Sequence, residues 1–162
     1  MGCGIFICTA LILSGCSTLG SKSPSPKIAQ FKQDTSVGTE DISIAAVGLV
    51  DVPYRFGGNT PKGGFDCSGL IVYVYNKAAG IKLPRTIQQM SNQGRSIDGQ
   101  APAPGDLVFF NTTGEKYSHA GIYVGHGRFV HAPSAGGTVR LDYITSPYWA
   151  AKFTEARRLT PQ

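Results

Sequence analysis

The chain is organised around the stretch Gly64-Phe65-Asp66-Cys67-Ser68-Gly69-Leu70, where a cysteine stands between a glycine-rich loop and an apolar segment. The spacing of the apolar residues that follow indicates one face of a helix. This face consists of Leu70, Ile71, Val74 and Tyr75. The pattern therefore predicts a helix that begins at Asp66 or Cys67, takes Asp66 as its cap, and ends near Gly80.

Cys67 is interpreted as a catalytic nucleophile because of its place at the start of this helix. A thiol in the first turn faces unpaired backbone N–H groups and the positive end of the helix dipole, and both stabilise the thiolate over the thiol. The alternative is a buried, unreactive cysteine that only packs in the core. Position alone does not separate these two interpretations.

Length and composition indicate one compact domain. The chain has 162 residues, of which 41% are apolar and 15% are charged. Its net charge of +5 favours an anionic surface such as phospholipid or an acidic polymer. Because the Lys and Arg residues are scattered and form no block, the sequence does not support a nucleic-acid partner.

Residues 1–15 are interpreted as a lipoprotein signal peptide. The apolar run of residues 4–13 has the length of a signal-peptide core and is too short to span a bilayer as a helix. It leads into Leu13-Ser14-Gly15-Cys16, which resembles the lipobox of bacterial lipoproteins and implies cleavage before Cys16 and lipidation of this residue. The segment departs from a usual signal peptide because it contains no Lys or Arg. The alternative is a buried apolar element at the N-terminus.

Loss of the signal peptide would remove Cys3 and Cys8 and leave Cys67 as the only free thiol. By resemblance to enterobacterial sorting, Ser17 in place of an aspartate implies a lipid anchor in the outer membrane, facing the periplasm. Residues 16–39 are rich in Ser, Pro, Lys and Gln, which predicts a flexible tether. Residues 40–162 are expected to form the folded domain.

The order of elements in this domain predicts an α+β fold. Helices are expected at residues 40–50, from Asp66 or Cys67 to about Gly80, and at 87–93. Strands are expected at 105–110, 118–124, 128–132, 138–141 and 153–158. Helices followed by strands favour an antiparallel sheet with the helices packed on one side.

Two histidines fall on neighbouring predicted strands. Strand alternation directs Ala120, Ile122 and Val124 toward the core and places His119 on the opposite face. His131 shares the face of His119 only if an odd number of residues connects the strands, which would bring the two histidines within roughly 4.5 to 8 Å. A glycine of the connection, Gly125 or Gly127, is expected to adopt a positive φ.

This arrangement predicts a catalytic role for the histidine pair. A thiolate–imidazolium pair needs an acceptor that orients the imidazole, and His131 can orient His119. The alternatives are a half-buried structural pair, or a zinc site formed with Cys67. His126, at the turn, is expected to be exposed.

Six stretches of the domain carry a recognisable pattern of motifs. They are YRFGG (54–58), FDCSGL (65–70), LPRT (83–86), PGDLVFF (104–110), SHAGIYVG (118–125) and FVHAP (129–133). In order and spacing they resemble the NlpC family of bacterial cell-wall cysteine peptidases. The resemblance covers about residues 41–158 and implies a papain-like core, with the nucleophile helix packed on a central antiparallel sheet.

The resemblance also implies an activity, which is hydrolysis of amide bonds in peptidoglycan stem peptides or cross-links. Cys67 would be the nucleophile, His119 the general base and then acid, and His131 the orienting third residue. Tyr54 would stabilise the oxyanion or position substrate. No metal and no organic cofactor are implied, and a monomer is expected.

Further substrate contacts are implied around the nucleophile. Asp66 and Ser68 would line the substrate groove, where Asp66 either binds a substrate ammonium group or only caps the helix. Arg55 and Arg85 would meet carboxylates of the stem peptide, or form structural ion pairs.

Two other functions stay open at this point. One is an acyltransferase or amidase on the same scaffold, since an acyl-enzyme can pass its acyl group to an amine or to water. The other is a non-catalytic lipoprotein that binds the cell wall.

Overall fold

The computed structural model describes residues 1–2, 39–134 and 137–159, in which four helices and eight strands are formed. The helices are α1 (Thr39–Val47), α2 (Cys67–Ala79), α3 (Ile87–Met90) and α4 (Pro147–Ala150). The predicted signal peptide, the lipidation site Cys16 and the tether lie outside the described residues, apart from Met1, Gly2 and Thr39.

The strands form two antiparallel sheets. A small one pairs β1 (Asn59–Thr60) with β2 (Gly64–Phe65). The main sheet has six strands in the order β3-β8-β4-β5-β6-β7. Its members are β3 (Arg95–Ser96), β4 (Leu107–Phe110), β5 (His119–Gly125), β6 (Arg128–His131), β7 (Arg140–Tyr143) and β8 (Phe153–Arg158). The predicted α+β class with an antiparallel sheet is confirmed.

Helices α1 and α2 cover one face of the main sheet. The apolar face of α2 predicted from the sequence is fully buried there against side chains of β4, β5 and β6. The opposite face, for which no cover was predicted, carries a second apolar cluster centred on Phe110, Phe129 and Trp149. Because β4 is buried along its whole length, this sheet needs cover on both faces, and α4 supplies part of it through Trp149.

The ends of α2 agree with the prediction. Asp66 is the N-cap, and its side chain accepts a hydrogen bond of 2.6 Å from the backbone N–H of Gly69. Gly80 ends the helix in the left-handed conformation, with φ of 67°. The helix therefore begins with Cys67 as its first residue.

Other boundaries differ from the prediction by a few residues. Helix α1 ends at Val47 rather than near residue 50, since a turn follows it and Asp51 has a positive φ of 71°. Helix α3 stops at Met90 instead of residue 93. The short elements β1, β2, β3 and α4 were not predicted, because two to four residues are too few to show a period.

The β5–β6 hairpin places the two histidines by means of a bulge. The turn itself has only two residues, His126 and Gly127, between the paired Gly125 and Arg128. The register shifts between Tyr123 and Gly125, so the strand contains one extra residue. The extra residue makes the number of residues between the paired parts of the two strands odd, as is required for His119 and His131 to lie on the same face. Gly125 and Gly127 have φ of 94° and 71°, so the predicted positive φ is confirmed at both.

None of the helices in the described ranges combines the length and the apolar character needed to cross a membrane.

Candidate active site

The start of α2 gathers polar side chains around Cys67, which is partly buried. The carboxylate of Asp66 receives two hydrogen bonds from Arg85, at 2.9 and 2.7 Å, in addition to the cap bond from Gly69. Ser68 donates to the same carboxylate at 3.0 Å and also contacts Arg85. Asp66 is thus both the helix cap and the carboxylate of an ion pair. Of the two roles expected for Arg85, a substrate contact or a structural ion pair, the structure shows the ion pair.

Tyr54 and Arg55 differ in their relation to this group. Burial, and then the nearby Cys67 and Asp66, raise the pKa of Tyr54. The backbone of Tyr54 also forms a bridge with Phe65, two residues before Cys67. The side chain of Arg55 is exposed and forms no hydrogen bond or ion pair with another described residue. The structure therefore assembles Tyr54, Asp66 and Arg85 about Cys67, whereas Arg55 stands apart.

The glycine-rich loop contacts the first turn of α2 closely. The backbone N–H of Asp66 donates to the carbonyl of Gly58 at 3.1 Å. A Cβ atom at Gly69 would overlap that same carbonyl oxygen. Glycine at position 69 is thus required by space, and the contact holds the loop against the helix end that bears the cysteine.

The histidines form a buried hydrogen-bonded chain. Nε2 of His119 lies 2.9 Å from Nδ1 of His131, and Nε2 of His131 lies 2.9 Å from Oδ2 of Asp142. His119 is 5% exposed, and His131 is fully buried. The placement of both histidines on one face, predicted from strand alternation, is confirmed.

Asp142 was missed by the sequence analysis. The predicted strand stopped at residue 141, whereas β7 extends to Tyr143 and pairs Arg140 with His131. Alternation along the longer strand places Arg140 and Asp142 on the histidine face. Arg140 already lay within the predicted strand, and extending that strand past residue 141 would have added Asp142. Trp149 was also missed; its indole N–H donates to Oδ2 of Asp142 at 3.0 Å, and its ring stacks on His119.

The carboxylate of Asp142 fixes the tautomers along the chain. Burial acts to raise the pKa of Asp142, but hydrogen bonds from His131 and Trp149 outweigh it and hold this pKa below its ordinary value. An ionised carboxylate only accepts hydrogen bonds, so Nε2 of His131 must donate to it. In a neutral His131, Nδ1 is then the acceptor, and Nε2 of His119 must donate to it. The proton-free nitrogen of a neutral His119 is Nδ1.

Both imidazoles are held neutral by their surroundings. Burial, then the neighbouring His131 and Arg140, lowers the pKa of His119 from 6.5 to about 3. Burial likewise lowers the pKa of His131 to about 4, although Asp142 opposes this change. At neutral pH the end of the chain is therefore an unprotonated ring nitrogen, which can act as a base.

The thiol of Cys67 is also neutral, which corrects one expectation. The backbone N–H groups of Ser68 and Cys67 do favour the thiolate, as the helix start predicts. Burial is the larger effect, and together with the carboxylate of Asp66 it raises the thiol pKa to about 11. The stabilisation of the thiolate predicted for the helix start is therefore present, but burial outweighs it in the free protein.

Two groups of polar residues thus exist, one at the start of α2 and one along β5, β6 and β7. Strand β5 packs against α2, and His119 is its first residue. Within the described residues no hydrogen bond joins Sγ of Cys67 to His119. Catalytic hydrogen bonds are often long before substrate binds, so the lack of this bond does not argue against a catalytic pair.

The buried neutral histidines generate a prediction for stability. Unfolded histidines titrate near pH 6.5, whereas His119 titrates at about 3 in the folded protein. Between these values the unfolded chain binds more protons, so the free energy of unfolding must fall as pH falls. Chemical denaturation at pH 7 to 4 should show a slope that is shallower in His119→Gln, by at most about 1.4 kcal/mol per pH unit.

His126→Asn is the control for this measurement, because His126 is exposed at the turn and asparagine tolerates its positive φ of 54°. This variant should keep the slope of the unchanged protein. An unchanged slope in His119→Gln would show that His119 is not held neutral by folding.

Three known proteins illustrate what this chain resembles. It is 46% identical over 123 residues to a gamma-DL-glutamyl hydrolase of Bacillus subtilis (strain 168), a match that covers 74% of this chain and 30% of that protein. It is 31% identical over 170 residues to the murein DD-endopeptidase MepS/murein LD-carboxypeptidase of Escherichia coli (strain K12), covering 94% of this chain and 89% of that one.

Among solved structures, the NlpC/p60 domain of the peptidoglycan hydrolase SagA is similar, with a TM-score of 0.65 and 30% identity. That match covers 76% of this chain and all of the SagA domain, 100%. The fold is therefore shared with a papain-like NlpC/P60 domain. The model of the NlpC/P60 family matches residues 51–158, and this chain belongs to the NlpC/P60 family.

Proposed function

We propose that this chain is a peptidoglycan endopeptidase that hydrolyses amide bonds of stem peptides or their cross-links, with Cys67 as the nucleophile. The observation that carries the proposal is the buried chain from Asp142 through His131 to His119, which ends in an unprotonated nitrogen within an NlpC/P60 domain. The murein and peptidoglycan hydrolases among its relatives support the substrate class.

The first step is attack on the substrate amide. Nδ1 of His119 takes the proton of the Cys67 thiol while Sγ forms a bond to the amide carbonyl carbon. Since the isolated thiolate and the isolated imidazolium are both disfavoured by burial, proton transfer coincides with attack rather than preceding it. Asp142 stabilises the positive charge that develops along the histidine chain.

The second step is collapse of the tetrahedral intermediate. The C–N bond breaks, the leaving amine takes the proton from His119, and the acyl group stays on Cys67 as a thioester. Water then gives a proton to His119 and attacks the thioester, which releases a carboxylic acid and restores the thiol. The oxyanion of the tetrahedral intermediate accepts hydrogen bonds from the backbone N–H of Cys67, at the start of α2, and from the hydroxyl of Tyr54.

Arg85 and Asp66 shape the charge near the thiol in opposite senses. Asp66 raises the pKa of Cys67, whereas the guanidinium of Arg85 lowers it. The effect of Asp66 is the larger of the two, and the ion pair between them, at 2.7 Å, leaves the polar groups beside Cys67 satisfied. Ser68 completes this network, so the three residues present a fixed polar wall to substrate.

Removal of the nucleophile tests the proposed mechanism. Cys67→Ala and His119→Ala should each abolish release of muropeptides from purified cell wall, measured by chromatography and mass spectrometry, because each loses a group that makes or breaks a bond. Circular dichroism should show an unchanged fold. His126→Asn should retain full activity as the matched histidine control.

Undiminished release of muropeptides by Cys67→Ala would contradict the mechanism. Incorporation of a labelled amine into the product, in place of water, would identify an acyltransferase instead of a hydrolase.

Asp142 is proposed as a positioning residue that sets the tautomer of both histidines. Asp142→Ala should lower kcat at least about tenfold, because the base loses its orientation. Asp142→Asn keeps an acceptor oxygen for His131 and should restore part of kcat. Equal loss in the two variants, or a change in KM alone, would exclude this role.

We further propose that the chain is a lipoprotein anchored through Cys16 in the cell envelope, at the outer membrane and facing the periplasm. The sequence Leu13-Ser14-Gly15-Cys16 and the polar stretch after it support this proposal. Labelled palmitate should be incorporated into the protein, and Cys16→Ser should lose both the label and membrane fractionation. Label that persists in Cys16→Ser would refute the assignment, and Cys67→Ser is the matched control that should keep it.

A further inference from the structure

A cavity of about 210 Å³ lies beside His119 on the side lined by β7 and α4. His119, Arg140, Tyr148 and Trp149 contribute to its wall. The polar residues at the start of α2 do not line it. The cavity therefore adjoins the base and lies apart from the wall formed by Asp66, Ser68 and Arg85.

Arg140 gives this cavity a fixed positive charge. Its Nε donates to Oδ2 of Asp142 at 3.1 Å, which anchors the guanidinium to the histidine chain. The side chain is 52% exposed, and its two terminal nitrogens form no hydrogen bond with another described residue. A guanidinium group that is fixed through Nε and has both terminal nitrogens available as donors is well suited to bind a carboxylate.

The position of His119 decides which part of a substrate reaches the cavity. In the proposed mechanism the leaving amine takes its proton from His119, so the carbon that bears this amine must lie beside the imidazole. The adjoining cavity then receives whatever else that carbon carries. Tyr148 and Trp149 supply apolar walls for an aliphatic chain.

We propose that this cavity binds a free carboxylate on the carbon atom that bears the leaving amine, with Arg140 as its ligand. The inference rests on the proposed function and narrows its substrates. A D,D cross-link to diaminopimelate carries such a carboxylate. The bond between D-glutamate and diaminopimelate does not carry one once the next residue is attached, because that carboxyl group is then an amide. The cavity thus selects cross-links over bonds within a longer stem.

A pair of matched substrates tests this assignment. Two cross-linked peptides would differ only in bearing a carboxylate or a carboxamide on the carbon of the leaving amine. The protein should cleave the carboxylate form with kcat/KM about tenfold or more higher, since a hydrogen bond to a charged group is lost in the other form. In Arg140→Gln this preference should disappear, mainly through KM for the carboxylate form.

Arg95→Gln is the matched control, because Arg95 is exposed on β3 at the opposite edge of the sheet from β7. It removes the same charge and should keep the preference. Arg140 also lowers the pKa of His119, so its loss can change kcat for both substrates alike, and only the ratio between the substrates reports carboxylate binding.

A preference that survives in Arg140→Gln would overturn the assignment and leave the proposed function intact, as would equal cleavage of the two substrates by the unchanged protein. Cleavage of neither substrate by a protein that also releases no muropeptides from cell wall would contradict the proposed function, and this inference with it.

Discussion

The hydrogen bond between His131 and the carboxylate of Asp142 is the interaction on which the rest of the candidate site depends. It places a proton on Nε2 of His131, so Nδ1 of His131 is an acceptor. The hydrogen bond between the two rings then places a proton on Nε2 of His119 as well. Only then is Nδ1 of His119 left as a base. Arg140 and Trp149 hold the same carboxylate oxygen from two further directions, so its position is fixed by three donors.

This chain of bonds requires the strand geometry beneath it. A two-residue turn alone would send the histidines to opposite faces of the sheet, and the bulge between Tyr123 and Gly125 corrects the count by one residue. The second apolar cluster then buries the pair, with Trp149 stacked on His119. Burial holds the rings neutral, and the same effect holds Cys67 as a thiol, so charge arises only when a substrate is attacked.

Much of this site could be predicted from the sequence, because its determinants are local. The cap at Asp66, the start of α2, the alternation along β5 and the positive φ at the turn each follow from a few neighbouring residues. Asp142 was not predicted because it lies past the predicted end of its strand, and because its partner His131 is eleven residues away on the neighbouring strand. The raised pKa of Cys67 was not predicted because burial depends on packing between distant segments. The local sequence shows only the helix start, whose backbone N–H groups lower this pKa.

The central claim is that Cys67 rests as a neutral thiol and that the histidine chain is also neutral, with tautomers set by Asp142. Nitrogen-15 NMR of the histidine rings at pH 7 tests this claim most directly, because protonated and proton-free ring nitrogens have well-separated chemical shifts. The account predicts a proton on Nε2 of both His119 and His131 and none on either Nδ1. An imidazolium at His119, or a proton on its Nδ1, would contradict it.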